Sequence, residues 1–188
     1  MIEKIMGIIT LKAPVYKAVA EDQSLTKTAG IIVAIVTFIQ GFCYGLTRVD
    51  ADGVINPNIG NAIIQAFANL VLGLIAWYIA AWLLAVIAKA FGGSTDTGEM
   101  LRVTGFVQVF GLTGIFNLVA LISSSLVCVT SIISLAILVL SLIGYFIGVR
   151  EAAEFSTGKA VITALIAAVA SFIINSVISG AVTSFLPK

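Results

Sequence analysis

The sequence has no histidine, only 2 cysteines and 3 prolines, and only 10% of its residues are charged. Without histidine the commonest general base and metal ligand at neutral pH is missing, and with it every His-dependent triad. Two cysteines are too few for a zinc or iron-sulfur centre. The sparse charges leave no acid or base in the core of any long apolar run, where proton relays and ion-coupled carriers place one. These absences exclude most enzyme and pump chemistries. No catalytic residue, cofactor, metal site or nucleic-acid partner is expected.

Apolar side chains are what the sequence has in excess, at 60% of the chain with a mean hydropathy of +1.16. That composition belongs to integral membrane proteins. A helix crossing about 30 Å of hydrocarbon needs about 20 apolar residues, and the uncharged runs supply them. Residues 28–47 make one span. Residues 53–88 make a second, whose helix is expected after Asn56-Pro57 with Pro57 in its first turn. Residues 103–149 are too long for one crossing and suit two joined by a hairpin near 121–125. Residues 160–186 hold the last. Transmembrane strands would alternate in segments of about 10 residues, which these runs do not. The expected fold is an all-α integral membrane protein with five transmembrane helices, at about 28–47, 58–88, 103–121, 126–149 and 160–184. An N-terminal segment, 1–27, precedes this transmembrane domain of 28–188.

Five spans put the termini on opposite sides, and the positive-inside rule chooses between them. With the N-terminus cytoplasmic, Lys4, Lys12, Lys17, Lys27, Lys89, Arg102, Arg150 and Lys159 all lie inside, leaving Arg48 and Lys188 outside. The C-terminus is therefore expected outside. In the N-terminal segment, Ala18-Val19-Ala20 imitates a signal-peptide cleavage site, but Lys12, Pro14 and Lys17 interrupt the apolar core a signal needs. Ile2, Ile5, Met6 and Ile9 follow helical spacing with Glu3, Lys4 and Thr10 off the stripe, which predicts an interfacial helix on the inner leaflet. A solvated tail is the plainer alternative.

Two loops carry most of the remaining charge. In GGSTDTGEMLR, Gly92 to Arg102, Asp96 and Glu99 fit a capping box. In GVREAAEFSTGKA, Gly148 to Ala160, Ser156 or Thr157 can cap the last span, and Arg150 complements the C-terminal dipole of the preceding one. Arg150 and Glu154 have the spacing of a surface helix pair. These charges mark membrane turns, and the same residues could dock a partner: Asp96, Glu99, Arg102, Arg150, Glu151, Glu154 and Lys159. The Gly158-Lys159 pair is not a P-loop, because Ala153 and Ala160 stand where that motif needs glycine and Ser or Thr.

Inside the spans, Cys43 and Cys128 read as packing residues, although a bridge between them is geometrically possible. At 1.5 Å rise per residue, Gln40, Asn69, Asn117 and Asn175 fall at one depth, outward of each span's midpoint. They can be independent interhelical hydrogen bonds or the wall of a small outward-facing polar pocket. The Gly41/Gly45 and Gly144/Gly148 pairs suit close helix packing.

The order and spacing of these features resemble a known family. A cytoplasmic N-terminal segment, five spans, the GG-x-x-x-x-GE-x-LR loop at Gly92 to Arg102, Gly105-Phe106 and GVREAAEFSTGKA before the last span are similar to the Yip-one domain family, the Ypt-interacting proteins, over nearly the whole chain. The resemblance implies a non-enzymatic protein that organises partners or membrane shape, as eukaryotic relatives do in vesicle trafficking, and the short N-terminus resembles prokaryotic members of the cytoplasmic membrane. The proline that many relatives carry after the aromatic of span three is missing from VQVFG. The long acidic arm and the Asp-Leu-aromatic-Gly-Pro motif are missing too, which weighs against carrying over GTPase binding. The expected role is a membrane scaffold acting through its cytoplasmic loops, with lipid bilayer and membrane proteins, or a second copy, as partners. The alternatives are an accessory subunit of a larger assembly and a small-solute permease or channel using the polar pocket.

Overall fold

Helix starts and stops follow from local chemistry. The computed structural model describes residues 1–48, 55–122 and 124–185; side chains at 120, 124, 125, 127, 171, 172 and 174–185 lie outside that description. Its elements are helices: α1 (Ile2–Ile9), α2 (Ala13–Glu21), a 3-10 turn (Gln23–Leu25), α3 (Thr26–Leu46), α4 (Ile59–Ala90), α5 (Thr97–Val107), a 3-10 segment (Gln108–Leu121), α6 (Ser124–Ala153) and α7 (Thr157–Phe185). Among the described residues four stretches are long and apolar enough to cross a membrane: Gln23–Leu46, Ile59–Ala90, Thr97–Val119 and Cys128–Ala153. The fifth expected span falls in α7, whose part Thr157–Ala170 is a shorter apolar helix.

At the start of α5 the capping box forms. Asp96 Oδ1 accepts from the Glu99 amide at 2.7 Å and Glu99 Oε2 from the Asp96 amide at 3.2 Å. α4 departs from expectation: Asn58 Oδ1 accepts from the Asn61 amide at 3.0 Å, so Asn58 is the N-cap and Pro57 lies just outside the helix. An Asn side chain satisfies an orphan amide that proline at N1 would only have removed. Three helix ends close by the same six-residue bond, in which the amide beyond a left-handed residue returns to the last turn. These bonds run from Lys12 to Gly7 O, Gly93 to Ala88 O and Phe155 to Arg150 O. Only the second of these turns uses glycine, Gly92; Leu11 and Glu154 hold φ of 56° and 54°.

The third crossing changes winding part-way. α5 is ordinary α-helix, but from Gln108 the chain runs for 14 residues as 3-10 helix, far beyond the usual three or four. The sequence there repeats in threes. Gln108, Gly111, Gly114 and Asn117 form one series, Val109, Leu112, Ile115 and Leu118 a second, and Phe110, Thr113, Phe116 and Val119 a third. A 3-10 helix eclipses residues three apart, so each series becomes a straight stripe. The winding also stretches these residues to about 28 Å where an α-helix would give about 21 Å.

The buried core lies at the end of the bundle that carries the α4–α5 and α6–α7 loops. It joins Ile8, Tyr16 and Val19 of the N-terminal segment to Leu84, Met100, Val103, Phe106, Val149 and the alanines of α6 and α7. Residues 1–27 thus share a core with the helices they precede. α5 is the centre, in contact with α2, α3, α4 and α6 and buried from Arg102 to Val107. The two glycine pairs are packing notches. A Cβ on Gly41 or Gly45 would enter the backbone of α4 at Gln65, Ala66 or Ala62, and one on Gly144 or Gly148 would strike Tyr16 or Val103. Both cysteines are free, Cys43 buried and Cys128 exposed.

Replacing Gly148 with Val overpacks this notch and is expected to destabilise the fold by about 1–3 kcal/mol. Gly158→Ala, whose Cβ would meet nothing within 4 Å, is the matched control and should be neutral or raise stability by up to about 1 kcal/mol. Unfolding of both variants in mixed micelles checks the difference.

Candidate functional site

Two regions hold the polar chemistry: the looped end of the bundle and a cavity among the apolar spans. At the looped end α2 packs against α5 and α6. Arg102 reaches from α5 to the last turn of α2, where Nε donates to Ala20 O at 2.7 Å, and its Nη1 donates to Thr26 Oγ1 at the start of α3 at 3.3 Å. The residue is only 5% exposed, and among the described residues no carboxylate lies within ion-pair distance of it. Its countercharge is the negative end of α2, where orphan carbonyls and the helix dipole favour a cation. Arg102, expected on the docking surface, is therefore an internal tie.

The other expected docking residues divide between framework and surface. Asp96 and Glu99 cap α5, and their carboxylates bond backbone. Arg150 does not pair with Glu154; it forks onto its neighbour Glu151, with Nη2 at 2.6 Å and Nε at 2.9 Å. The reason is backbone geometry: α6 ends at Ala153, and the left-handed turn at Glu154 carries that side chain off the helix face. Glu154 instead meets Lys17 at 3.1 Å, which raises the affinity of the Lys17 amine for its proton. Lys159 donates to Phe91 O at 3.1 Å and stands over the Phe155 ring, and the Ser94 amide bonds Ala153 O. Asp96, Glu154 and Lys159 are exposed, with Lys17 and Glu21 beside them.

α1 is held by Lys4, whose Nζ lies 2.7 Å from Asp22 Oδ2. Ile8 is buried beneath α1, and the Tyr16 hydroxyl donates to Ile8 O at 2.9 Å. Burial pushes that hydroxyl up to about 12. Of the predicted interfacial stripe, Ile2, Met6 and Ile9 face outward and Ile5 is half-buried.

The cavity is about 1050 Å³ and lies between α3, α4, the 3-10 segment and α6. Its polar lining includes Thr37 and Gln40 from α3, Thr104 from α5, Gln108, Thr113 and Asn117 from the 3-10 segment, and Thr130, Ser131, Ser134, Ser141 and Tyr145 from α6. Gln40 Nε2 donates to Gly111 O at 2.9 Å, a close approach that leaves no room for a Cβ on Gly111. Two of the three stripes of the 3-10 segment face this space, while the aliphatic one does not line it and exposes Ile115 and Leu121.

Of the four amides expected at one depth, Gln40 and Asn117 line the cavity. Asn69 does not: its Nδ2 returns to Gln65 O on its own helix at 3.0 Å, against the Gly41 notch. Asn175 lies outside the residues with described side chains. The α6 contribution was missed, although Thr130, Ser134, Ser141 and Tyr145 recur at helical spacing along an otherwise aliphatic sequence. Among the described residues no group of His, Cys, Asp or Glu is placed to hold a metal ion.

Apolar crossings, a polar cap at one end and polar side chains lining a cavity at span depth define a multi-pass helical membrane protein. The Yip1 domain profile matches residues 6–178, and the chain belongs to that family, whose members are generally non-enzymatic membrane trafficking proteins. Neither a curated protein nor a solved structure matches the chain.

Arg102→Met removes the donor from a buried carbonyl and is expected to cost about 1–3 kcal/mol, read as a lowered unfolding midpoint in detergent. The Asp22 carboxyl gives a second test. Lys4 first, then Ser24, hold it down to about 2, below the ordinary value of about 3.9. With the folded value depressed, its stabilising effect is complete above about pH 4 and is lost as the pH falls towards 2. Carbon NMR of Asp22 should give a midpoint near 2, moving towards about 4 in Lys4→Met. A wild-type midpoint near 4 would mean that the pair does not form.

Proposed function

We propose that this protein is a non-enzymatic membrane scaffold that crosses the bilayer five times, with its capped end and N-terminus in the cytoplasm and its C-terminus outside. A protein partner, another chain or a second copy, docks on the cap. One observation carries this reading: segments distant in sequence are fastened into a single surface by side-chain bonds. Lys17 to Glu154 spans 137 positions, Arg102 to Ala20 spans 82, and Lys159 to Phe91 spans 68. A surface already fastened gives up little conformational freedom when a partner arrives. The exposed charges of Lys17, Glu21, Asp96, Glu154 and Lys159 are of mixed sign, which favours specificity over raw affinity. The outward stripe of Ile2, Met6 and Ile9 seats α1 against the inner leaflet, beside the docking face.

The test is purification in native nanodiscs from the host, with mass spectrometry of every retained chain. Lys17→Glu/Glu154→Lys exchanges the two charges, so the internal pair can re-form while the pattern offered to a partner is reversed. A stoichiometric partner held by wild type and lost from the exchanged variant is the expected outcome. A chain that purifies alone and monomeric in both forms would sink the docking role.

A further inference from the structure

We propose that the cavity between α3, α4, the 3-10 segment and α6 binds a neutral lipid whose head carries hydroxyl groups, of the acylglycerol class. This site is separate from the cap and stands or falls independently of docking there.

The first observation is unmet hydrogen bonding at span depth. Gln108, Asn117, Ser134, Ser141 and Tyr145 line the cavity, and among the described residues none of their side chains has a hydrogen-bond partner. Polar groups removed from water without partners are costly, and hydrocarbon offers none. Asn117 is exposed and the other four are half-buried, so five unpaired polar side chains open onto one space at span depth, and an occupant that supplies donors and acceptors would pair them.

Charge narrows the occupant. Among the described residues no acid or base lines the cavity. An ionised head group drawn into it would meet no countercharge and would lose its hydration. A phosphate or carboxylate head is therefore disfavoured, and hydroxyls, which both donate and accept, suit the amide and hydroxyl lining.

Shape and the remaining lining supply the tail. At about 1050 Å³ the space matches roughly 35 water volumes at about 30 Å³ each, and stands at the top of the usual range for organic ligands. The α6 lining runs from Thr130 to Tyr145, a rise of about 22 Å, long enough to lie along an acyl chain. Phe110, Phe116 and Leu138 are interleaved with the polar groups, which suits an amphiphile better than a column of water. The triplet pattern of the 3-10 segment holds its polar and aromatic stripes towards this space together.

Trp77 lines the cavity, whereas Trp82, the other of the 2 tryptophans, is 49% exposed on α4. In Trp82→Phe, Trp77 becomes the only reporter. Liposomes of phosphatidylcholine are doped with a chain-brominated monoacylglycerol or, at equal bromine content, with chain-brominated phosphatidylcholine. The monoacylglycerol is expected to quench Trp77 saturably at about tenfold lower mole fraction, equivalent to 1.4 kcal/mol of preference. In Trp77→Phe the lipid-facing Trp82 should be quenched alike by both lipids. Adding Gln108→Leu, Ser134→Ala and Ser141→Ala to the Trp77 reporter should abolish the preference; alanine is favourable in a helix, and Ser134→Ala/Ser141→Ala alone should weaken it. Equal quenching of wild-type-lined Trp77 by both lipids would overturn the proposal, as would a preference that survives the substitutions. Quenching of Trp77 by aqueous iodide without lipid preference would show a water-filled space and overturn it as well.

Discussion

The bond from Arg102 to the carbonyl of Ala20 sets the geometry of the whole looped end. A guanidinium drawn this far out of water needs compensation, and the C-terminal end of α2 supplies it. Meeting that demand fixes α2 across the bundle, and the consequences follow in order. Tyr16 drops into the notch cut by Gly144 and Gly148, Ile8 of α1 is buried in the core, and Lys17 is placed to meet Glu154. Arg102 can serve as the anchor because α5 is itself held on several sides, by α2, α3, α4 and α6. A cation on an outer helix could swing to water; this one cannot without leaving Ala20 O unpaired.

The bilayer imposes the second constraint, since backbone polar groups must be satisfied within the chain at span depth. Both α and 3-10 winding meet it, so the side-chain pattern is free to decide between them. From Gln108 onward the period is three, and 3-10 winding alone turns that period into separate polar, aliphatic and aromatic stripes. The glycines at 111 and 114 admit Gln40 of α3, whose amide adds a bond to Gly111 O. This is also the place where the resemblance to relatives expected a proline. The chain here has a change of winding instead, beginning one residue after Val107.

What could be read from the sequence was what two near neighbours or a long run decide. The spans were legible because water-exposed helices and loops break up apolar runs with charge well before a bilayer's thickness is reached, and the Asp96/Glu99 box because both halves lie within one turn. The glycine pairs announced close packing, though not that Tyr16 would fill one of them. Features that depend on distant segments were not legible. Arg102 looks like a surface charge until α2 is laid over it. The spacing of Arg150 and Glu154 promised a pair, and a left-handed residue at the end of α6 cancelled it. Depth alone grouped Asn69 with Gln40 and Asn117, but depth carries no azimuth, and Asn69 faces the α3 contact. The triplet period is present in the sequence at a spacing that neither the strand period of two nor the helical 3.6 picks out.

The same rod, α5 continued by the 3-10 segment, serves the cap with one half and the cavity with the other, and what lies between them limits what the cavity can do. Val103, Phe106, Val107 and Phe110 are all buried there, and the polar atoms nearby are spent on each other: Trp77 Nε1 donates to Thr104 Oγ1 at 3.0 Å, and Thr104 donates to Met100 O at 2.6 Å. A conducting path needs polar partners along its length, because each unmet step in hydrocarbon costs free energy. Here the polar lining reaches Thr104, whose hydroxyl is already bonded on both sides among apolar neighbours, and the described residues offer no chain of free donors and acceptors from the cavity to the cap. The cavity is blind at that end, which fits a place where something resides better than a route along which something passes.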